Sequence, residues 1–174
     1  MTSKQAVITN AGPLIALGKL NRLDLLAALY PEVIMPYGVY KEVVVKGLMR
    51  GAPDASAVRL FWQQQGWPVM EVPREVLSSF APSVILGPGE SEVIALAQTF
   101  DNPLVLIDDE LARSEARRLK LRVRGTLGIL ASAYKQRFLS FREVEFLIQE
   151  VASRPDIWIS AKLCNKVLDS LRKA

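Results

Sequence analysis

The sequence predicts an α/β fold with a central, mainly parallel sheet and helices on both sides. Short apolar runs of strand length alternate with segments of helical period through most of the 174 residues, the pattern of successive βαβ units. The run Leu104-Val105-Leu106-Ile107 is apolar without alternation, as expected of a parallel strand buried on both faces. Half of the residues are hydrophobic, enough for one core in one domain of this length.

Residues 6–9 are apolar and end in Thr9-Asn10, giving a first strand. Gly12-Pro13 then opens a short helix, L-I-A-L-G-K-L. Proline suits a first helical turn, where its missing N–H costs nothing. No G-x-G-x-x-G phosphate loop is present. Residues 23–30 form a second helix, with Asn21 or Asp24 near its start and Pro31 closing it. Residues 33–35 are a strand stopped by Pro36. Residues 37–45 read as a helix with Val39, Glu42, Val43 and Lys46 on successive turns, weakened by the β-branched run Val43-Val44-Val45. Gly47, Gly51 and Pro53 mark a loop. Asp54 caps a helix that runs through Gln65 with Ala57, Leu60 and Phe61 inward. Residues 69–72 are an edge strand between prolines, and residues 75–80 a short helix.

The stretch G-E-S-E-V-I-A-L-A-Q-T-F has Glu90 in its first turn. Val93, Leu96, Ala97 and Phe100 recur at helical spacing. Ile94 and Ala95 extend the apolar surface, so this helix is covered on most sides. A D-N-P turn leads into the strand 104–107, which ends in Asp108-Asp109. Residues 109–119 are a helix, 121–123 a strand partly exposed at Arg122, and Gly125-Thr126 leads into a helix over 127–137. Two amphipathic helices close the chain. One has Phe141, Val144, Ile148 and Val151 on a face, the other Leu163, Val167, Leu168 and Leu171. No linker marks a second domain, so residues 1–174 read as one domain with the helices from about 140 packed on it.

Absences narrow the chemistry. There is no histidine and one cysteine, Cys164. A disulfide within the chain, a Cys/His zinc site and a Ser-His-Asp or Cys-His arrangement are all excluded. Acid–base work falls to carboxylates, Lys, Tyr or metal-bound water. The N-terminus shows no apolar leader segment, and no apolar run is long enough to span a bilayer. A cytoplasmic protein without membrane contact is expected. The net charge of +4 permits a polyanionic partner. The basic residues are uneven: Arg113, Arg117, Arg118, Lys120, Arg122 and Arg124 are opposed within their run only by Glu115. Such a run is either a solvated helix face or a phosphate-binding strip.

Ligands of open parallel sheets bind outside the carboxyl ends of the strands. The polar residues expected there, and at the neighbouring helix starts, are Asn10, Glu42, Glu90, Asp108 and Asp109. Hard cations such as Mg2+ take oxygen ligands, commonly a few carboxylates plus phosphate, and so held can promote phosphodiester hydrolysis without histidine. Each residue also has a structural use. Asp108 or Asp109 suits a helix N-cap, Glu90 a first helical turn, Glu42 a surface face, and Asn10 a turn. Only their combination points to an ion.

The blocks V-I-T-N-A-G-P-L-I-A-L-G-K-L, I-M-P-Y-G-V-Y-K-E-V, G-P-G-E-S-E-V-I-A-L-A, L-V-L-I-D-D-E-L-A-R and V-R-G-T-L-G-I-L occur in this order. Together they resemble the PIN-like domain family, in its group of VapC-like predicted nucleic-acid-binding proteins. The resemblance covers nearly the whole chain. It implies a three-layer α/β/α PIN-like domain, Mg2+ or Mn2+ bound by an acidic cluster, and cleavage of single-stranded RNA by the active members. It further implies a toxin of a type II toxin–antitoxin pair, a small antitoxin as partner, and a homodimer. Asn10 matches the first acidic position, Glu42 the second, Glu90 the third and Asp109 the fourth, with Asp108 adjacent and able to exchange roles with Asp109. Thr126 matches a polar position near the site. RNA contact is expected from Arg113, Arg117, Arg118, Arg124 and Thr126. The departure is Asn10, where active members usually carry Asp, and it supports the alternative of a catalytically weak or inactive module that binds RNA or a protein. Trp62, Trp67 and Trp158 lie elsewhere in sequence, and core or interface packing is their expected use.

Overall fold

The computed structural model describes residues 4–174. The first three residues, which the single-domain and leader readings included, lie outside the described residues.

Strands β1 (Val7–Thr9), β4 (Leu104–Leu106) and β5 (Arg122–Arg124) form one parallel sheet in the order β1-β4-β5. Strands β2 (Met35–Pro36) and β3 (Val69–Met70) pair in parallel. A parallel bridge between Ile8 and Ile34 joins the two, with Ile34 N donating to Val7 O at 2.8 Å and Thr9 N to Ile34 O at 3.0 Å. The spatial order is therefore β3-β2-β1-β4-β5, all parallel. Connections leave β1 in one direction and β4 in the other, so a topological switch point lies between these two strands. Every residue of β1 and β4 is buried, and Ile8 and Val105 are wholly inaccessible, which requires cover on both faces of the sheet.

That cover comes from helices. Helix α1 (Ala11–Lys19) packs on α5 (Pro53–Gln65) and on α9 (Thr126–Lys135). Helix α2 (Asp24–Leu29) also packs on α9, as do α10 (Phe141–Ser153) and α11 (Ala161–Arg172). Helix α7 (Pro88–Ala97) lies against β1, β2 and β4, joined by the short α6 (Arg74–Ser79), and α8 (Glu110–Arg118) lies along β5. Residues 93–97 of α7 are all buried, as its apolar surface predicts.

Several boundaries differ from those read in the sequence. The helix begun at Tyr37 does not end at Val45. It continues as α3 (Tyr37–Tyr40), a π-helical stretch (Lys41–Val45) and α4 (Lys46–Met49). The Lys46 N–H bonds to Lys41 O, five residues back. The β-branched run thus widens the helix instead of stopping it, and Val43 and Val44 both enter the core. Gly47 is helical and buried, not a loop residue. A Cβ on it would stand 2.7 Å from the Ala55 Cβ, so glycine is what lets α4 touch α5. Ala52, not Asp54, is the N-cap of α5, because Pro53 occupies the first turn. The buried face of α5 is Ala55, Val58 and Trp62, and Leu60 is exposed. Leu163 of α11 is also exposed, and Cys164 takes the core position.

Trp62 and Trp67 do pack in the core, edge to face at 5.1 Å, with Phe61 beside them. Trp158 does not; it is 95% exposed.

Glu115, the acidic residue within the basic run, is buried in α8. Its carboxylate accepts from Ser83 N at 3.0 Å, Ser83 Oγ at 2.5 Å, and the Arg118 guanidinium at 2.6 and 3.0 Å. Arg118 and Ser83 hold its pKa down to about 2. A depressed acid stabilises fully above its unfolded pKa of about 4.3, and that contribution is lost as pH falls through the folded value. The wild-type urea midpoint is therefore expected to drop between about pH 4.5 and 2. Glu115→Gln should start lower at pH 7 and fall less over that window.

Candidate functional site

Asn10 follows β1 and is the N-cap residue of α1, yet its side chain caps nothing. Its backbone N–H is tied to Leu106 O at 2.9 Å, which fixes it at the carboxyl end of the sheet. The side-chain Oδ1 is buried and has no hydrogen-bond partner among the described residues. An unpartnered buried acceptor costs about 1–3 kcal/mol, and it points to something that oxygen would otherwise meet.

Asn10, Glu42, Glu90, Asp108 and Asp109 line one cavity of about 250 Å3 at the switch point, together with Ala11, Gly12 and residues 156–159. The fold thus brings together polar residues that are far apart in sequence. Glycines at three helix starts make the room. A Cβ on Gly89 would stand 3.1 Å from Glu42 Oε2 and 3.5 Å from Asn10 Oδ1. One on Gly12 would stand 3.1 Å from Asp108 Oδ2, and one on Gly125 2.8 Å from Asp108 Oδ1.

The two aspartates divide their tasks. Asp109 is exposed and caps α8, accepting from Ala112 N at 2.9 Å. Asp108 is partly buried and accepts from Thr126 N at 2.7 Å and Thr126 Oγ1 at 2.6 Å. Burial pushes the Asp108 carboxyl above the usual range, while the Thr126 bonds and Arg113 oppose the shift. Glu90 reaches back to Gly87 N at 2.6 Å, so its role in the first helical turn is real and leaves its other oxygen uncommitted by any bond among the described residues.

Glu42 sits on the π-helical stretch, a distortion frequent at functional sites. The residue as a whole is exposed, but its carboxylate end reaches Gly89. That local desolvation raises its pKa, and the Glu90 charge raises it further against Lys46 and Arg50. Glu42→Gln removes one of two repelling charges. Without added ions at pH 7 it should raise Tm slightly, by about 1–2 °C, since roughly half a kcal/mol moves Tm this much in a chain of this length. Thermal denaturation in chelator checks it.

Among the described residues, no three of Asp, Glu or Cys close on one point as a ready-made metal cluster. Mg2+ seldom needs one, since it keeps several waters and takes one or two carboxylates plus substrate phosphate. The donors here are all oxygens, one is an orphaned carbonyl, and glycines hold the space open. This set fits a hard divalent ion.

A second, larger groove shares Asp108, Asp109 and residues 158–159 with the cavity, and Arg113, Arg117, Arg124 and Lys135 line it. Burial lowers the Arg113 pKa, and its Nη1 donates to Ile107 O at 2.9 Å. Arg124 donates to the Tyr30 hydroxyl at 2.8 Å. Arg118 and Thr126 do not line this groove. Arg118 clamps Glu115 and Thr126 is wholly buried against Asp108, whereas Arg113 and Arg117 share the exposed Glu110 at 4.0 and 3.7 Å and stay on the groove.

A family profile described as a PIN domain matches residues 6–173. The chain belongs to the PIN domain family. This PIN domain is therefore a nuclease-type module of a family that binds nucleic acids and generally uses divalent metal ions. No curated protein matches the chain. No described helix of this PIN domain is long and apolar enough to cross a membrane.

Two residues beside the cavity escape a reading of the sequence. Asp156 lines it but is held by Arg154 at 2.8 and 2.9 Å, which keeps its pKa down at about 2. Trp158 borders both the cavity and the groove. Three apolar residues in a row, Ile157-Trp158-Ile159, carry no signal of which one faces out; in this bend Ile157 is buried and Trp158 exposed.

Proposed function

We propose that this PIN domain is a metal-dependent endoribonuclease acting on single-stranded RNA, with the cavity at the switch point as its active site. The observation that carries the reading is the orphaned Oδ1 of Asn10 beside the carboxylates of Glu42, Glu90 and Asp108 in one cavity. Mg2+ or Mn2+ would be held by Asn10, Glu42, Glu90 and Asp108, with Asp109 at the rim. When bound, such an ion supplies Lewis-acid polarisation of a phosphodiester and acidifies water. Thr126 orients Asp108 through both of its oxygens. The pKa of the Glu42 carboxyl is raised by burial and by Glu90, which makes it a stronger proton acceptor than an ordinary carboxylate. Arg113, Arg117 and Arg124 would hold the RNA backbone, a contact that weakens with salt.

The resemblance to VapC-like proteins supports a cytoplasmic toxin of a type II pair, inhibited by a small antitoxin and acting as a homodimer. One observation favours a second reading, a module that binds RNA or a protein without cutting. Asn10 contributes no charge, and Glu90 and Asp108 are already bonded within the chain. A titration of Mg2+ and Mn2+ with end-labelled single-stranded RNA separates the two. Cleavage that appears with metal and stops with chelator supports the nuclease. Binding without cleavage at every metal concentration replaces it with the second reading.

A further inference from the structure

We propose that Trp158 is a base-stacking platform, placed to seat one nucleobase of a single-stranded nucleic acid where the acidic cavity meets the basic groove. This rests on the nucleic-acid reading above and names the contact that would orient the strand.

A side chain of this size seldom lies open to solvent, yet Trp158 is 95% exposed. Its position is built, not incidental. Ile157 is buried and Ile159 half-buried against the core, and Trp158 between them faces outward. The preceding turn is stapled to the end of α1. Arg154 Nη1 donates to Lys19 O at 3.0 Å, Lys19 Nζ donates to Asp156 O at 2.7 Å, and Arg154 grips the Asp156 carboxylate with two bonds. The indole is thus presented from a braced segment, which limits the entropy lost on binding.

Its surroundings select the partner. On one side is the cavity, and on the other the groove, where Arg113, Arg117, Arg124 and Lys135 outnumber Asp108, Asp109 and Glu110. A polyanion lying in that groove would place its phosphates on the arginines and a base within reach of Trp158, beside the cavity. Aromatic platforms interleaved with cationic side chains are the means by which single strands are held without regard to sequence. The cations favour this occupant over a protein segment.

Binding of a short oligouridylate and of a fully abasic strand of the same length, measured in chelator at low salt, tests the assignment. Trp62 and Trp67 are buried, so quenching of the exposed indole reports on Trp158. The oligouridylate should quench it saturably. Trp158→Ala should weaken binding by about 5- to 150-fold, the range of stacking one base on an aromatic ring, with Tm unchanged. Trp158→Phe should restore most of the loss. The abasic strand should bind the wild type more weakly, and should lose little further affinity toward Trp158→Ala, because both changes remove the same contact. Unchanged affinity of Trp158→Ala for RNA that the wild type binds well overturns the proposal and leaves Trp158 to a protein contact. Absence of any RNA binding by the wild type overturns the nucleic-acid reading itself, and the platform with it.

Discussion

Asp108→Asn is expected to reduce metal-dependent RNA cleavage by at least about 100-fold, the upper end of what losing even a supporting partner costs a metal site, without changing Tm by more than a few degrees. The substitution is nearly isosteric. Asn Oδ1 still accepts from Thr126 N, and Asn Nδ2 can donate to Thr126 Oγ1, since a hydroxyl both donates and accepts. What disappears is the negative charge. Burial already disfavours that charge in the ion-free protein, so its removal carries little stability cost. A large loss of cleavage with an intact fold therefore separates chemistry from folding. Asp109→Asn supplies the contrast. Asp109 spends an oxygen on the cap of α8 and lies at the rim, so its loss should cost cleavage less. Initial rates with end-labelled RNA, beside thermal denaturation of each variant, check both. Equal rates for wild type and Asp108→Asn would remove the cavity from the chemistry.

The assignment of roles within Asp108-Asp109 shows where a sequence stops being readable. The pair ends a buried strand, and both residues are acidic and equally suited to a cap. Their difference is set by Thr126, which approaches Asp108 from 18 positions away in the chain. Spacing along a strand carries no trace of that contact. The sheet itself was legible because period and burial are local: β1, β4 and α7 emerge from apolar pattern alone. The stretch from Tyr37 to Met49 was not, because its end depends on Gly47 meeting Ala55 of another helix. The basic run was legible as charge but not as function. Glu115 has taken Arg118 for a buried clamp, while Arg113, Arg117 and Arg124 remain on the groove. Trp158 is far from the carboxylates in sequence yet lines their cavity, since distance along the chain does not measure distance in space. The loop after α10 is tied to Lys19 at the last turn of α1, and Trp158 lines the same cavity as Asn10, Ala11 and Gly12 at the first turn of that helix.

Asn10→Asp is expected to tighten Mn2+ or Mg2+ binding by about 10- to 100-fold, the scale on which a supporting partner changes metal affinity, and to raise cleavage with it. Asn10 lines the cavity, and its buried Oδ1, without a partner among the described residues, borders Gly89 as the Glu42 carboxylate does. A carboxylate there keeps the donor and adds a full charge to a site whose ions respond to charge count. The same change should harm the ion-free protein. A third acidic group beside Glu42 and Glu90 is desolvated and repelled, the conditions that already raise Glu42. A carboxyl whose folded pKa is raised is penalised when ionised, so the loss of stability is present above the folded pKa and disappears below the unfolded value of about 3.9. In chelator, Tm of Asn10→Asp should fall below that of the wild type at pH 7, with the gap closing toward pH 4. Saturating Mn2+ should reverse the order at pH 7. Calorimetric titration gives the affinity, and denaturation with and without metal gives the reversal. Opposite signs in the two conditions are what an ion site predicts. A variant less stable in both, with unchanged affinity, would show that the orphaned oxygen faces the cavity for a reason other than metal.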